Sequence, residues 1–327
     1  MDLFERRFII NTGKGGVGKT TISAAIALAA ARRGKRVLVM ELNAKDKMAR
    51  LFGSESVGFE PVEVEDNLFA INVTPDAAME EYLLMKLKLK TLYRAVFENR
   101  FVRSFLRVIP GTNELVLLGK AWHEENLRNP HTGRHVWDMV VVDAPATGHG
   151  IFFLKIPDVI LQALQTGPMV EEARKISNLI HDPRRTALNL VTLVEEMPVN
   201  ETIELRRQVE QDLKVPLGYA VANAVYPPLF DDADPALVQR LQDGLAAQAE
   251  PDPHLQHLLD AGAFRMGRVA LQRSYLERIE RELDLPKISV PYYFTERFDF
   301  QTLSKIADQI DQQVRAQVAS ARSTPRP

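Results

Sequence analysis

The 327-residue sequence contains no cysteine. Without a thiol there is no disulfide, no thiolate-bound zinc, no iron–sulfur cluster and no cysteine nucleophile. Nor is there an excess of charge of one sign: 41 basic residues face 43 acidic ones, and the net charge of −2 argues against a general nucleic-acid binder. No apolar run approaches the roughly 18 residues of a membrane-spanning helix. The first residues, MDLFERRF, lack the apolar core of a signal peptide, so the expected location is cytoplasmic. An internal repeat is also missing, which points to a single unit of residues 1–322 rather than a tandem. The last residues, 323–327, read as a disordered tail. No Ser/His/Asp arrangement stands out. His123, His131 and His135, with Glu124 and Glu125 beside them, follow no recognised metal-ligand spacing and read as a solvated connection.

What the chain does have begins at Phe8. The apolar run Phe8-Ile9-Ile10 is followed by Gly13-Lys14-Gly15-Gly16-Val17-Gly18-Lys19-Thr20-Thr21 and then by an alanine-rich helical stretch. Gly13 and Gly18, spaced by four residues and followed by Lys19 and Thr20, match the phosphate-loop pattern in its strand–loop–helix context. Glycines let the backbone curl until its N–H groups converge on phosphate oxygens, and the helix start adds its partial positive charge. Lys19 is then expected at the β/γ-phosphates of ATP, with the Thr20 hydroxyl on Mg²⁺.

Along the chain, apolar runs alternate with helical patterns: strands at Lys35–Leu42, Asn67–Thr74, Trp137–Ala144, Thr186–Glu195, Pro216–Ala224 and Lys287–Val290. This alternation predicts an α/β fold, a doubly wound, mostly parallel sheet flanked by helices, with a helical insertion near 75–130. Ligand chemistry in such sheets sits at the carboxyl ends of the strands. Those ends carry Glu41–Asp46, Asp143 and Asn223. Asp143, closing a run of apolar residues, is placed as the carboxylate that faces Mg²⁺. The insertion is rich in apolar side chains (Met79, Tyr82, Leu83, Met85, Leu92, Phe97 and others). Helices packing on one another and a groove for a hydrophobic polypeptide client both fit that composition.

Lys14 and the Asp143–His149 stretch sharpen this. GKGGVGKT, with its early lysine, resembles the deviant phosphate loop of the MinD/ParA/ArsA class of dimeric ATPases. Asp143-Ala144-Pro145-Ala146-Thr147-Gly148-His149 resembles the second switch, D-T-A-P-T-G-H, of the arsenite-pump ATPases and of the ATPases that target tail-anchored proteins. The resemblance implies a homodimer, or a heterodimer with a related ATPase, in which Lys14 crosses to the partner's nucleotide. It also implies that Asn223 meets the adenine edge, where a turn-capping role is the alternative, and that the loop opened by Pro291 wraps the base. Three departures limit the carry-over. Asn43 stands where the family's first switch has an aspartate that positions water, and Asn cannot take a proton. Hydrolysis is then weak or absent, unless Asp46, or less readily Glu41, substitutes. Zinc-clamped dimerisation and thiol-based arsenite binding both need cysteine. A hydrolysis-deficient subunit and a MinD/ParA-like positioning ATPase remain alternatives; against the second, the C-terminus ASARSTPRP has no apolar face for a membrane.

Overall fold

Successive strand residues point to opposite faces, and here both faces are apolar. In β1 (Phe8–Thr12), Ile9 faces one core while Phe8 and Ile10 face the other; β2 (Val37–Leu42) and β5 (Met139–Asp143) divide in the same way. Strands buried on both sides belong in the middle of a parallel sheet covered by helices. The computed structural model of the protein, which describes residues 2–43, 47–87, 111–145, 152–228, 234–247 and 252–323, has that architecture.

Eight strands form one sheet in the order β3-β4-β2-β5-β1-β6-β7-β8. The remaining strands are β3 (Val62–Glu65), β4 (Leu68–Val73), β6 (Thr186–Leu193), β7 (Leu217–Val225) and β8 (Lys287–Pro291). All neighbours run parallel except β3, which pairs antiparallel with β4 at the edge. This four-residue strand, largely exposed and with two of its four residues glutamates, has no apolar run to announce it and is absent from the sequence pattern.

One face is covered by α1 (Lys19–Arg32), α2 (Lys47–Phe52) and α10 (Phe300–Ser323). The other carries α4 (Thr112–Asn126), α5 (Phe152–Ala163) and α6 (Pro168–Ile180), with α3 (Pro75–Leu87) against α4. At the β7–β8 end a third cluster joins α7 (Glu196–Gln208) to α9 (Pro253–Leu283), on which α8 (Asp234–Ala246) packs. Helix α1 is buried almost all round; its alanines let the sheet and α10 approach closely, which keeps the start of α1 in place. α10 continues to Ser323, the first residue of the expected tail, and residues 324–327 lie outside the described part. Of the expected insertion, α3 and α4 are described and 88–110 are not. No helix among the described residues is long and apolar enough to cross a membrane.

One expectation is corrected. The stretch expected as a solvated connection is not solvated throughout: Glu124 and Glu125 lie in the last turn of α4 and are buried. Glu125 is gripped by Arg7 (3.2 Å) and Arg185, and Glu124 accepts from the Trp137 indole at 2.9 Å and pairs with Lys120 at 2.8 Å. Apolar periodicity cannot reveal this, because the partners lie up to 118 residues away.

Candidate nucleotide site

The loop after β1 is built by two glycines that admit no side chain. Gly13 has φ +153, and a Cβ there would lie 2.2 Å from the Val191 carbonyl oxygen of β6. Gly18, the residue before α1, has φ +91, and its Cβ would lie 2.2 Å from the Asn223 amide nitrogen. Between them Lys14, Gly15 and Gly16 are exposed while Val17 is buried and anchors the loop. The loop therefore presents its backbone outward at the start of α1, as a phosphate cradle requires.

Lys19 is buried, and its Nζ donates to the carbonyls of Gly13 (3.0 Å) and Lys14 (2.9 Å). Loss of water lowers its pKa, an effect that nearby Asp143 opposes. An ammonium held by carbonyl dipoles in a desolvated pocket gains strongly from an arriving anion. One residue on, Thr20 Oγ1 donates to Asp143 Oδ2 at 2.7 Å, across 123 residues of sequence. Asp143 is 5% exposed; burial pushes its pKa up to about 6, with Glu41 adding to the rise and the Thr20 hydroxyl opposing it. A hydroxyl and a carboxylate are hard oxygen donors, the chemistry that suits Mg²⁺. The residues present thus fit both a phosphate and a divalent cation. Thr21 follows, half-buried on the first turn of α1.

Asp143 has further support that the sequence pattern did not mark. Tyr219 N–H donates to Asn189 Oδ1, Asn189 to Asn11 Oδ1, Asn11 to Ser23 Oγ, each at 2.9 Å, and Ser23 to Asp143 Oδ1 at 3.4 Å. Asn189, Asn11 and Asp143 sit side by side in the registers of β6, β1 and β5, beneath α1. Every donor in this buried row points toward the carboxylate, so the row orients it. Polar residues inside otherwise apolar strands were the available signal, since a buried amide needs partners.

The remaining expected residues divide. Lys14 is exposed and its Nζ reaches Glu201 Oε1 of α7 at 2.5 Å. Asn43 is exposed at the end of β2 with φ +52, a backbone region that Asn tolerates better than most residues. Asp46 lies outside the described residues, as do Thr147–His149. Glu41 does not stand ready as a base: its buried carboxylate accepts the Lys47 and Met48 N–H groups at the start of α2. Asn223, at the end of β7, is beside the loop, its Nδ2 donating to Val17 O at 2.9 Å; Pro291 closes β8 in register with Val225. Farther off, α3, α4 and α6 enclose a largely apolar cavity of about 330 Å³, lined by Met79, Tyr82, Leu83, Leu115 and Met169. No cluster of three or more metal-binding side chains occurs among the described residues.

Comparison with known proteins bears on the family. The model of the ArsA ATPase family, described as anion-transporting ATPase, matches residues 6–168. The ATPase BagA of Mycobacterium tuberculosis is 28% identical over 94% of this chain and 93% of its own length. An arsenical pump-driving ATPase of Escherichia coli is 25% identical over 93% of this chain, which spans 54% of that relative. With its phosphate loop, buried lysine and Thr20–Asp143 pair in place, the chain belongs to the ArsA-like family of P-loop ATPases.

Proposed function

We propose that the chain is a Mg²⁺-ATP-dependent ATPase that works as a nucleotide-gated dimer and couples ATP binding and hydrolysis to a partner- or client-binding helical layer. The observation that carries this is the meeting of Lys19, Thr20 and Asp143 at the carboxyl ends of β1 and β5, with Lys14 on the outer side of the same loop. Mg²⁺ supplies charge neutralisation on the phosphates, and Thr20 and Asp143 would hold it. The loop N–H groups and Lys19 bind and orient the triphosphate. In this reading Lys14 leaves Glu201 and reaches a nucleotide on a second subunit, which its exposure of more than half supports. An added ammonium at the transferring phosphoryl group stabilises charge that builds in the transition state. The largely apolar cavity between α3, α4 and α6 supports a hydrophobic polypeptide segment as the client.

Lys14→Ala tests the dimer. It is expected to keep the wild-type affinity for ATP and to lower phosphate release by tenfold or more; unchanged turnover would sink the cross-subunit role. Light scattering with and without ATP reads association directly.

Asn43 supports a second reading, an ATP-binding subunit that hydrolyses little or nothing. Its exposed amide can orient water but cannot accept its proton. Phosphate release by the chain alone and by Asn43→Asp separates the two: a gain in the variant over a near-silent parent favours the binding subunit, and robust parental turnover favours the ATPase.

A further inference from the structure

Just before its end, β7 breaks from strand geometry. Ala224 has φ +57, a region that residues bearing a Cβ rarely adopt, and the β7–β8 register slips between Ala222 and Val225. Gln272 of α9 holds the break. This side chain is 5% exposed; its Oε1 accepts the Tyr226 N–H at 2.6 Å and its Nε2 donates to the Ala224 carbonyl at 3.3 Å. Two turns earlier on the same face of α9, Arg265 donates to the Pro227 carbonyl at 2.9 Å, and its guanidinium lies over the Tyr226 ring at 4.3 Å. Helix α9 thus grips the main chain from 224 to 227 at three points.

Asn223 immediately precedes the bend. Its Nδ2 donates to Val17 O at 2.9 Å and lies over Gly18 in space that a Cβ would fill. A carbonyl only accepts, so only the amide nitrogen can face it. Flipping the amide would set Oδ1 against Val17 O. The free N–H and Oδ1 are therefore offered in one fixed order. With the phosphates seated in the loop, that order suits adenine, which has a ring-nitrogen acceptor beside its exocyclic amine. Guanine presents two acceptors on its N7–O6 edge and the reverse order on the other.

We propose that Gln272 is a positioning residue for base selection: by clamping the backbone at Ala224 and Tyr226 it aims the Asn223 amide and makes the site prefer ATP over GTP. This rests on the reading that Asn223 meets the base, and the experiment separates the two. Affinities of the full chain for fluorescent ATP and GTP analogues are measured in the parent, Asn223→Ala, Gln272→Ala and Gln272→Ala/Ala224→Gly. Inorganic tripolyphosphate serves as a probe of the phosphate loop alone. The preference for ATP should fall about tenfold in Gln272→Ala, the effect of losing one to two hydrogen bonds, with tripolyphosphate affinity unchanged. It should recover in the double variant, because glycine takes φ +57 without a clamp. Parental preference in Gln272→Ala, while Asn223→Ala has lost it, overturns the positioning role and leaves the base contact standing. Unchanged preference in Asn223→Ala overturns the base contact and this inference with it. Loss of tripolyphosphate binding in Gln272→Ala would show damage beyond the base and also overturns the assignment.

Discussion

The sheet buries charge at both of its ends, and the two ends treat that charge differently. At the amino ends of the strands, Glu125 lies between Arg7 and Arg185, and Lys120 lies between Glu81 (2.7 Å) and Glu124 (2.8 Å). Burial alone would lower the pKa of Lys120, but the two carboxylates outweigh it and raise it. At the carboxyl ends, Lys19 rests on carbonyls and its pKa is lowered, while the Asp143 carboxyl is pushed up to about 6. One set of charges is satisfied by the protein. The other is held partly desolvated and short of counter-charge, which is how a site keeps free energy in hand for a ligand.

That difference can be broken from either end. The largest effect is expected for Lys19→Ala, which should weaken ATP binding by about a hundredfold or more through the loss of charge-assisted hydrogen bonds. Its thermal unfolding should stay at the parental temperature or rise, because a desolvated ammonium is removed. Glu125→Ala should do the opposite. Two arginines lose their partner, and denaturant unfolding should show a loss of about 3 kcal/mol, the low end for a broken buried pair because both arginines keep some contact with water, while ATP affinity holds.

Asp143→Asn should stabilise the nucleotide-free protein. The folded state holds the Asp143 proton to about pH 6 and the unfolded chain only to 3.8. Between those values the folded state binds more protons, so stability falls as pH rises through the window. The variant lacks that fall and should exceed the parent by up to about 3 kcal/mol at pH 7, with little difference near pH 3.5, as read by urea titrations at both values. The same substitution should weaken Mg²⁺-dependent binding of ATP, the exchange of function for stability that a strained site predicts. Smallest is Glu201→Gln. Its pair with Lys14 is exposed, and such pairs contribute under about 1 kcal/mol, so stability should barely move. Turnover should rise a few-fold if that pair restrains Lys14.

Much of the fold is legible because it is local. Seven parallel strands and the helices between them follow from apolar runs and helical periodicity, with ends displaced by a few residues, as where β6 stops at Leu193 rather than Glu195. What escaped was β3, which is short, edge-placed and acidic, and the buried state of Glu124 and Glu125, whose partners come from distant segments. The candidate site was legible in its contiguous motif, residues 13–21, and at the strand ends that carry Asp143 and Asn223. Its supports were not, since Asn11, Ser23, Asn189 and Gln272 carry no motif.

The sequence by itself determined that a phosphate loop would follow the first strand and open a helix, because glycine spacing, Lys19 and Thr20 act through the backbone between them. It also determined that no thiol chemistry would assist. Tertiary structure alone decided that Glu41 is spent on the start of α2, that a row of amides crosses three strands to reach Asp143, and that α9 holds the end of β7. The physical reason is range. A loop's shape is set by torsions of adjacent residues, whereas a buried polar group finds its partner only through strand register and helix packing, which bring together residues far apart in the chain.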